Sequence, residues 1–138
     1  MELLQKGGIH MKKVLISIKN ELLSTAVIGT LKNCGEFLPY PISSGVGANG
    51  FDKPAAMDAD IFLLEISYLP GATIESRLNE IKQFRKNKPA CKIVVFCDDT
   101  AAPNLAYKVT QLKKDRLIDG FLYTSVTANY LRSTLVSL

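Results

Sequence analysis

The sequence predicts a doubly wound α/β domain, a five-stranded parallel sheet with helices on both faces, from three observations. Short apolar or β-branched runs alternate with stretches of helical periodicity along the chain. One run, Ile61-Phe62-Leu63-Leu64, is apolar at consecutive positions, as a strand reads when both of its faces are covered. That run closes on an acid, Glu65, before the breaker Pro70-Gly71. A carboxylate therefore stands at the carboxyl end of a buried strand, where open α/β sheets place their ligands.

A chain of 138 residues suits one compact domain, burying about two-thirds of its surface. Hydrophobic residues at 47% and charged residues at 22% describe an ordinary globule with a mild net charge of +4. Lys82, Arg85, Lys86, Lys88, Lys113, Lys114 and Arg116 gather at expected helix ends, where cations complement the helix dipole. They form no stripe and carry no interleaved aromatics, so no direct contact with nucleic acid is expected. Cys34, Cys91 and Cys97 make neither a C-x-x-C pair nor an even-numbered framework, which suits a reducing, cytoplasmic setting. With His10 the single histidine, zinc and histidine-base chemistry lack their usual groups. No apolar run approaches the ~18 residues that span a bilayer, and no signal peptide is evident. No metal or cofactor is expected.

Each element has its own signal. Residues 1–10, MELLQKGGIH, hold a Gly-Gly and end in His before Met11, as a common cloning site encodes; residues 1–11 are read as an expression leader or a native extension, and 12–138 as the domain. Val14-Leu15-Ile16-Ser17-Ile18 is the first strand. Leu22, Leu23, Ala26, Val27, Thr30 and Leu31 recur at helical spacing, with Asn33 to Gly35 as the stop. Residues 37–42 form a second strand that Pro39 and Pro41 push to a sheet edge. A loop at 43–50 and a short helix within 53–59 precede the third strand. Next comes a helix with Ile74, Leu78, Ile81 and Phe84 on one face and Glu75, Arg77, Glu80 and Lys82 on the other, ended by Lys88-Pro89. Residues 92–97 are the fourth strand, and Asp98 and Asp99 are expected to cap the helix carrying Leu105, Val109 and Leu112, the alternative being an acidic cluster with Glu65 and Asn20. Gly120 to Tyr123 is the fifth strand, and Thr127 caps the last helix, with Tyr130, Leu131, Thr134 and Leu135.

Right-handed crossovers leave few topologies, and the flavodoxin-like order 2-1-3-4-5 accommodates the edge-like second strand best. In that order Lys19-Asn20-Glu21, the loop at 43–50, Glu65 to Gly71, Cys97 to Thr100 and Thr124-Ser125 meet at one rim.

At this level the sequence resembles a response-regulator receiver domain, the CheY-like module of two-component phosphorelay signalling. DIFLLEISYLPG and the following ESRLNEIKQFRKNKPACKIVVF carry the strongest likeness, with DGFLYTSV and KVLISIKNELL similar to the family's fifth and first strands. The resemblance spans Lys12 to Leu138. It implies a signalling module rather than an enzyme, with no effector domain in the chain. It also implies that Glu65 stands at the phosphoacceptor position, Lys19 and Asn20 at two metal-binding acids, Cys97 at the switch Ser/Thr and Thr124 at the phosphate-contacting Lys. Every one of these differs from the family's usual residue, and the loop after Glu65 is one residue longer before Pro70. The chain is thus identified as an atypical receiver.

Aspartyl phosphorylation needs Mg²⁺ and a well-placed carboxylate. Lys19 would set an ammonium where a metal ligand belongs, and the extra methylene of Glu65 misplaces a nucleophile. One expectation is a Lys19–Glu65 ion pair in place of the metal, with Glu65 also imitating a phosphorylated state. The plainer readings are a strand-end acid that caps nearby amides and a solvated lysine. Cys97 reads as a buried small residue rather than a reactive thiol. Phe121 holds a position that is often a mobile aromatic in the family, and here reads as packing. The receiver face built from the fifth strand and its flanking helices would offer Tyr107, Tyr123 and Tyr130 to a protein partner or a second copy.

A competing motif is Gly45-Val-Gly47-Ala-Asn-Gly50, a literal G-x-G-x-x-G with Glu65 about twenty residues beyond its first glycine. It does not follow the first strand and Pro54 interrupts any helix behind it, so its context is poor for a nucleotide or flavin. Three functions follow in order: a protein-contact signalling module, a phosphorylation-responsive receiver of a longer, DNA-binding regulator, and a nucleotide or flavin binder.

Overall fold

A computed structural model of the protein describes residues 11–42, 58–98 and 104–138. Strands β1 (Lys12–Ser17), β2 (Phe37–Pro41), β3 (Ile61–Ile66), β4 (Lys92–Cys97) and β5 (Gly120–Tyr123) form one parallel sheet in the order β2-β1-β3-β4-β5. The helices among the described residues are α1 (Glu21–Cys34), α2 (Ile74–Asn87), α3 (Leu105–Lys114) and α4 (Ala128–Val136). This is the predicted order, and the Pro-containing β2 takes the edge because a proline nitrogen cannot donate to an inner ladder.

The sheet separates two apolar layers. Leu15, Phe62, Leu64, Ile81, Phe84, Val95, Val109 and Leu112 pack on one face, under α2 and α3. Val14, Ile16, Val27, Leu31, Leu63, Phe96, Leu131 and Leu135 pack on the other, under α1 and α4. Since successive side chains of a strand point to opposite faces, the consecutive apolar run of β3 feeds both layers.

Local chemistry sets the helix ends. Asn20, Thr73 and Thr127 cap α1, α2 and α4 through side-chain oxygens that accept from Leu23, Ser76 and Tyr130 amides. Gly35 ends α1 in the left-handed conformation at φ 70°.

Three expectations are corrected. Leu22, assigned to the buried stripe of the first helix, is 82% exposed, because it falls in the turn just past the Asn20 cap. Asp98 does not cap α3, whose first residue is Leu105, after Asn104. Arg77 leaves the polar face of α2, as described below. The leader, the glycine motif at 45–50, Asp99 and most of the short helix expected at 53–59 lie outside the described residues.

Candidate functional site

The described part of the predicted rim lies at the carboxyl ends of β1, β3 and β4. Glu65 lies within β3, opposite Phe96, and is 2% exposed. Its Oε1 accepts the backbone N–H of Lys19 at 2.8 Å and of Asn20 at 3.2 Å. These two amides lie between β1 and the first turn of α1, where a side-chain acceptor supplies the partner that regular structure does not.

Lys19, Asn20 and Glu65 therefore come together, but not through the ion pair that was expected. The Lys19 ammonium makes no ion pair with Glu65; its chain runs over Gly71, where an added Cβ would meet Lys19 Cε at 3.1 Å and Nζ at 3.5 Å. Gly71 also sits at φ 83°, so its lack of a side chain serves both the turn and the lysine above it. Asn20 turns its Oδ1 to the Leu23 amide at 3.1 Å as the helix cap. The physical reason is economy of ordering. The carboxylate reaches fixed backbone donors, whereas pairing with the ammonium would freeze a long flexible side chain.

The cation beneath this rim is Arg77, which sequence reasoning placed on the solvent side of α2. It is fully buried. Its Nε donates to the Glu65 carbonyl at 2.8 Å, one terminal nitrogen to Ser17 Oγ at 2.8 Å, and the other to the Ser17 carbonyl at 2.8 Å. Glu80, one turn along α2, lies at 3.5 Å. Burial pushes the guanidinium below its ordinary pKa, while Glu80 and Glu65 pull it back up. The missed signal was the spacing Ile74, Arg77, Ile81, Phe84, which puts Arg77 inside the apolar stripe.

Ser67 completes the turn after β3. Its amide donates to the Ala72 carbonyl at 2.8 Å and its Oγ accepts from Leu69 at 3.2 Å. At the neighbouring positions, Cys97 is fully buried in β4 and its carbonyl accepts the Thr124 amide at 3.2 Å. Phe121 is half-buried and meets Tyr123 edge-on, centroids 6.0 Å apart. All three cysteines are free, and burial pushes the Cys91 thiol up to about 12, which leaves it inert.

The described residues of this rim are not arranged to hold a divalent ion. One Glu65 oxygen is engaged by two amides, the Asn20 oxygen caps a helix and Lys19 contributes a positive charge. No group of three His, Cys, Asp or Glu side chains able to hold a metal occurs among the described residues.

The second surface feature is a cleft of about 590 Å³ between the end of α3, β5 and the start of α4, with Lys113, Phe121, Tyr123, Val126, Thr127 and Tyr130 in its wall. Tyr107, 65% exposed, stands outside it; Tyr130 is 62% exposed and Tyr123 40%. No helix among the described residues is long and apolar enough to cross a membrane.

No protein-family model and no curated protein matches the sequence. Solved structures do. The RcsB response regulator of Salmonella typhimurium superposes with a TM-score of 0.70 at 17% identity, over 93% of this chain and 60% of that one. The signal receiver domain of the response regulator NarL from Mycobacterium tuberculosis gives 0.67 at 16% identity over 93% and 95% of the two chains. A receiver domain protein from Clostridium thermocellum gives 0.66 at 15% identity, covering 88% of each. At these identities the likeness is one of fold. The chain has the receiver fold and spans about 60% of the RcsB regulator it resembles.

Proposed function

We propose that the chain is a receiver-type signalling module, not an enzyme, that works through protein contacts and does not use the Mg²⁺-dependent aspartyl-phosphate cycle. The observation that carries this is the state of Glu65: buried, bound to the Lys19 and Asn20 amides, and backed by the Arg77 guanidinium at its own carbonyl. A phosphoryl acceptor must present a free carboxylate oxygen to an incoming phosphorus, with cations around the transferring group. Here one oxygen of that carboxylate is held by the Lys19 and Asn20 amides, and the nearest buried cation is turned to carbonyls and a hydroxyl rather than to a transferring group. The tyrosine-lined cleft beside β5 is the contact surface of this reading, since aromatics with a polar tip favour protein interfaces.

The test is incubation with acetyl phosphate and Mg²⁺, followed by intact-mass and peptide mass spectrometry. No added phosphoryl mass is expected. A gain mapping to Glu65, Asp98 or Asp99 would overturn the proposal.

A second reading, the receiver portion of a longer DNA-binding regulator, is favoured by one fact: the chain spans only 60% of RcsB. The reading frame beyond Leu138 decides it.

A further inference from the structure

A group of exposed cations lies at the opposite end of the strands from Glu65. In a parallel sheet every covering helix runs back to the amino ends of the strands, so α2 and α3 both finish there. Segments far apart in the chain meet as a result. Arg85, in the last turn of α2, donates to the Cys91 carbonyl at 3.2 Å, the Leu117 carbonyl at 3.2 Å and Asp119 at 2.7 Å. It thereby joins the approach to β4 to the approach to β5.

Around this junction stand Lys86, Lys88, Lys92, Lys113, Lys114 and Arg116, exposed or half-exposed. None of the six forms an ion pair with a described residue, whereas Lys13, Arg85 and Arg132 each do. Asp115 lies within the patch and Asp60 borders it, its carbonyl accepting the Lys92 amide at 3.0 Å; Asp119 is committed to Arg85 and the Ile93 amide. The expectation of no contact with nucleic acid rested on the absence of a basic stripe and of interleaved aromatics; the fold brings cations of separate segments to one end of the sheet.

We propose that this basic edge binds the phosphate backbone of a nucleic-acid duplex without reading bases. The composition selects that partner. Five of the six cations are lysines, hydrated point charges that suit diffuse phosphate contacts more than the bidentate carboxylate pairing that favours arginine. Lysine is also depleted from protein interfaces. The large exposed hydrophobics, Leu22, Tyr40, Tyr68, Tyr107, Tyr123, Tyr130 and Val136, include no member of these segments, so the patch has nothing to insert into a lipid surface. Lys113 alone of the six shares a wall with aromatics, in the cleft of Phe121, Tyr123 and Tyr130; the other five line no aromatic platform of the kind that stacks single-stranded bases.

The experiment is fluorescence anisotropy with a labelled 20-base-pair DNA duplex of mixed sequence, titrated with the full chain from 50 to 200 mM NaCl. Expected is a Kd of roughly 1–100 μM at the lowest salt and a log–log salt slope of about −4 to −5, as for about five neutralised phosphates. Lys86→Glu, Lys92→Glu and Lys114→Glu should each weaken binding by about fivefold. Lys32→Glu, at the end of α1 on the opposite face, carries the same charge change and should alter it by less than about twofold. A second duplex of unrelated sequence should bind equally. The proposal is overturned by absent or salt-independent binding, by equal losses for Lys32→Glu, by strong sequence preference, or by tighter binding to polyglutamate or phosphatidylserine vesicles than to the duplex.

Discussion

Two arginines on one helix, Arg77 and Arg85, fasten α2 to opposite ends of the sheet, about 12 Å apart along its axis. Arg77 reaches the carboxyl ends of β1 and β3 and is fully buried; it is satisfied mainly by neutral acceptors, the Ser17 and Glu65 carbonyls and the Ser17 hydroxyl. Arg85 reaches the amino ends of β4 and β5, remains 23% exposed, and is paired directly with Asp119 at 2.7 Å. Its Nε, though buried, has no partner. The difference teaches what each end is for. At the amino edge a partly hydrated ion pair holds two loops, and the exposed end of the guanidinium shares its charge with water although Nε stays unpartnered. At the carboxyl rim a dry guanidinium must be matched bond for bond, and in doing so it immobilises the very carbonyl and hydroxyl that border the candidate site.

The sharpest break in that comparison is Arg77→Ala. Removing a buried cation leaves the Ser17 and Glu65 carbonyls without their donor and opens a void, and the expected loss is about 3–5 kcal/mol by urea denaturation. A loss below about 1 kcal/mol would show the rim to be as forgiving as the amino edge.

Next is Asp119→Asn, expected to cost about 1–2 kcal/mol at neutral pH. Burial alone would raise the Asp119 carboxyl, but the Arg85 hydrogen bond and the Ile93 amide outweigh it and hold it below its ordinary value. A depressed folded pKa means stability that is present above the unfolded value near pH 4 and lost as pH falls through the folded one. The acid limb of the wild-type stability curve should therefore flatten in Asp119→Asn. An unchanged limb would remove Asp119 as its cause.

The smallest effect tests the rim's light contacts. Asn20→Ala should cost about 1 kcal/mol through the lost cap, with Asn20→Ser close to wild type in thermal unfolding. A null result for Asn20→Ala would mean that Glu65 alone anchors the start of α1.

Much of the fold was legible because its signals are local or periodic. Pro39 and Pro41 placed β2 at an edge, the unbroken apolar run placed β3 at the centre, and Thr127 marked a helix start. The site was legible only as an address. Lys19, Asn20 and Glu65 were expected side by side and are so, yet the bonds between them use backbone amides, which every residue carries and no sequence pattern advertises. Cys97 and Thr124 likewise meet through main-chain atoms. Arg77 is illegible to any reading that equates charge with exposure, although its helical register points inward.

The sequence by itself determined the alternation of strands and helices, the order of the sheet and the residues gathered at its rim, because apolar periodicity and caps act over a few residues at a time. Tertiary structure alone decided which cation stands beneath Glu65, where the Lys19 ammonium goes, and that lysines from separate segments share one edge. Those outcomes compare contacts across sixty residues, as between Arg77 and Ser17, and they turn on desolvation and distance, neither of which exists until the chain has closed on itself.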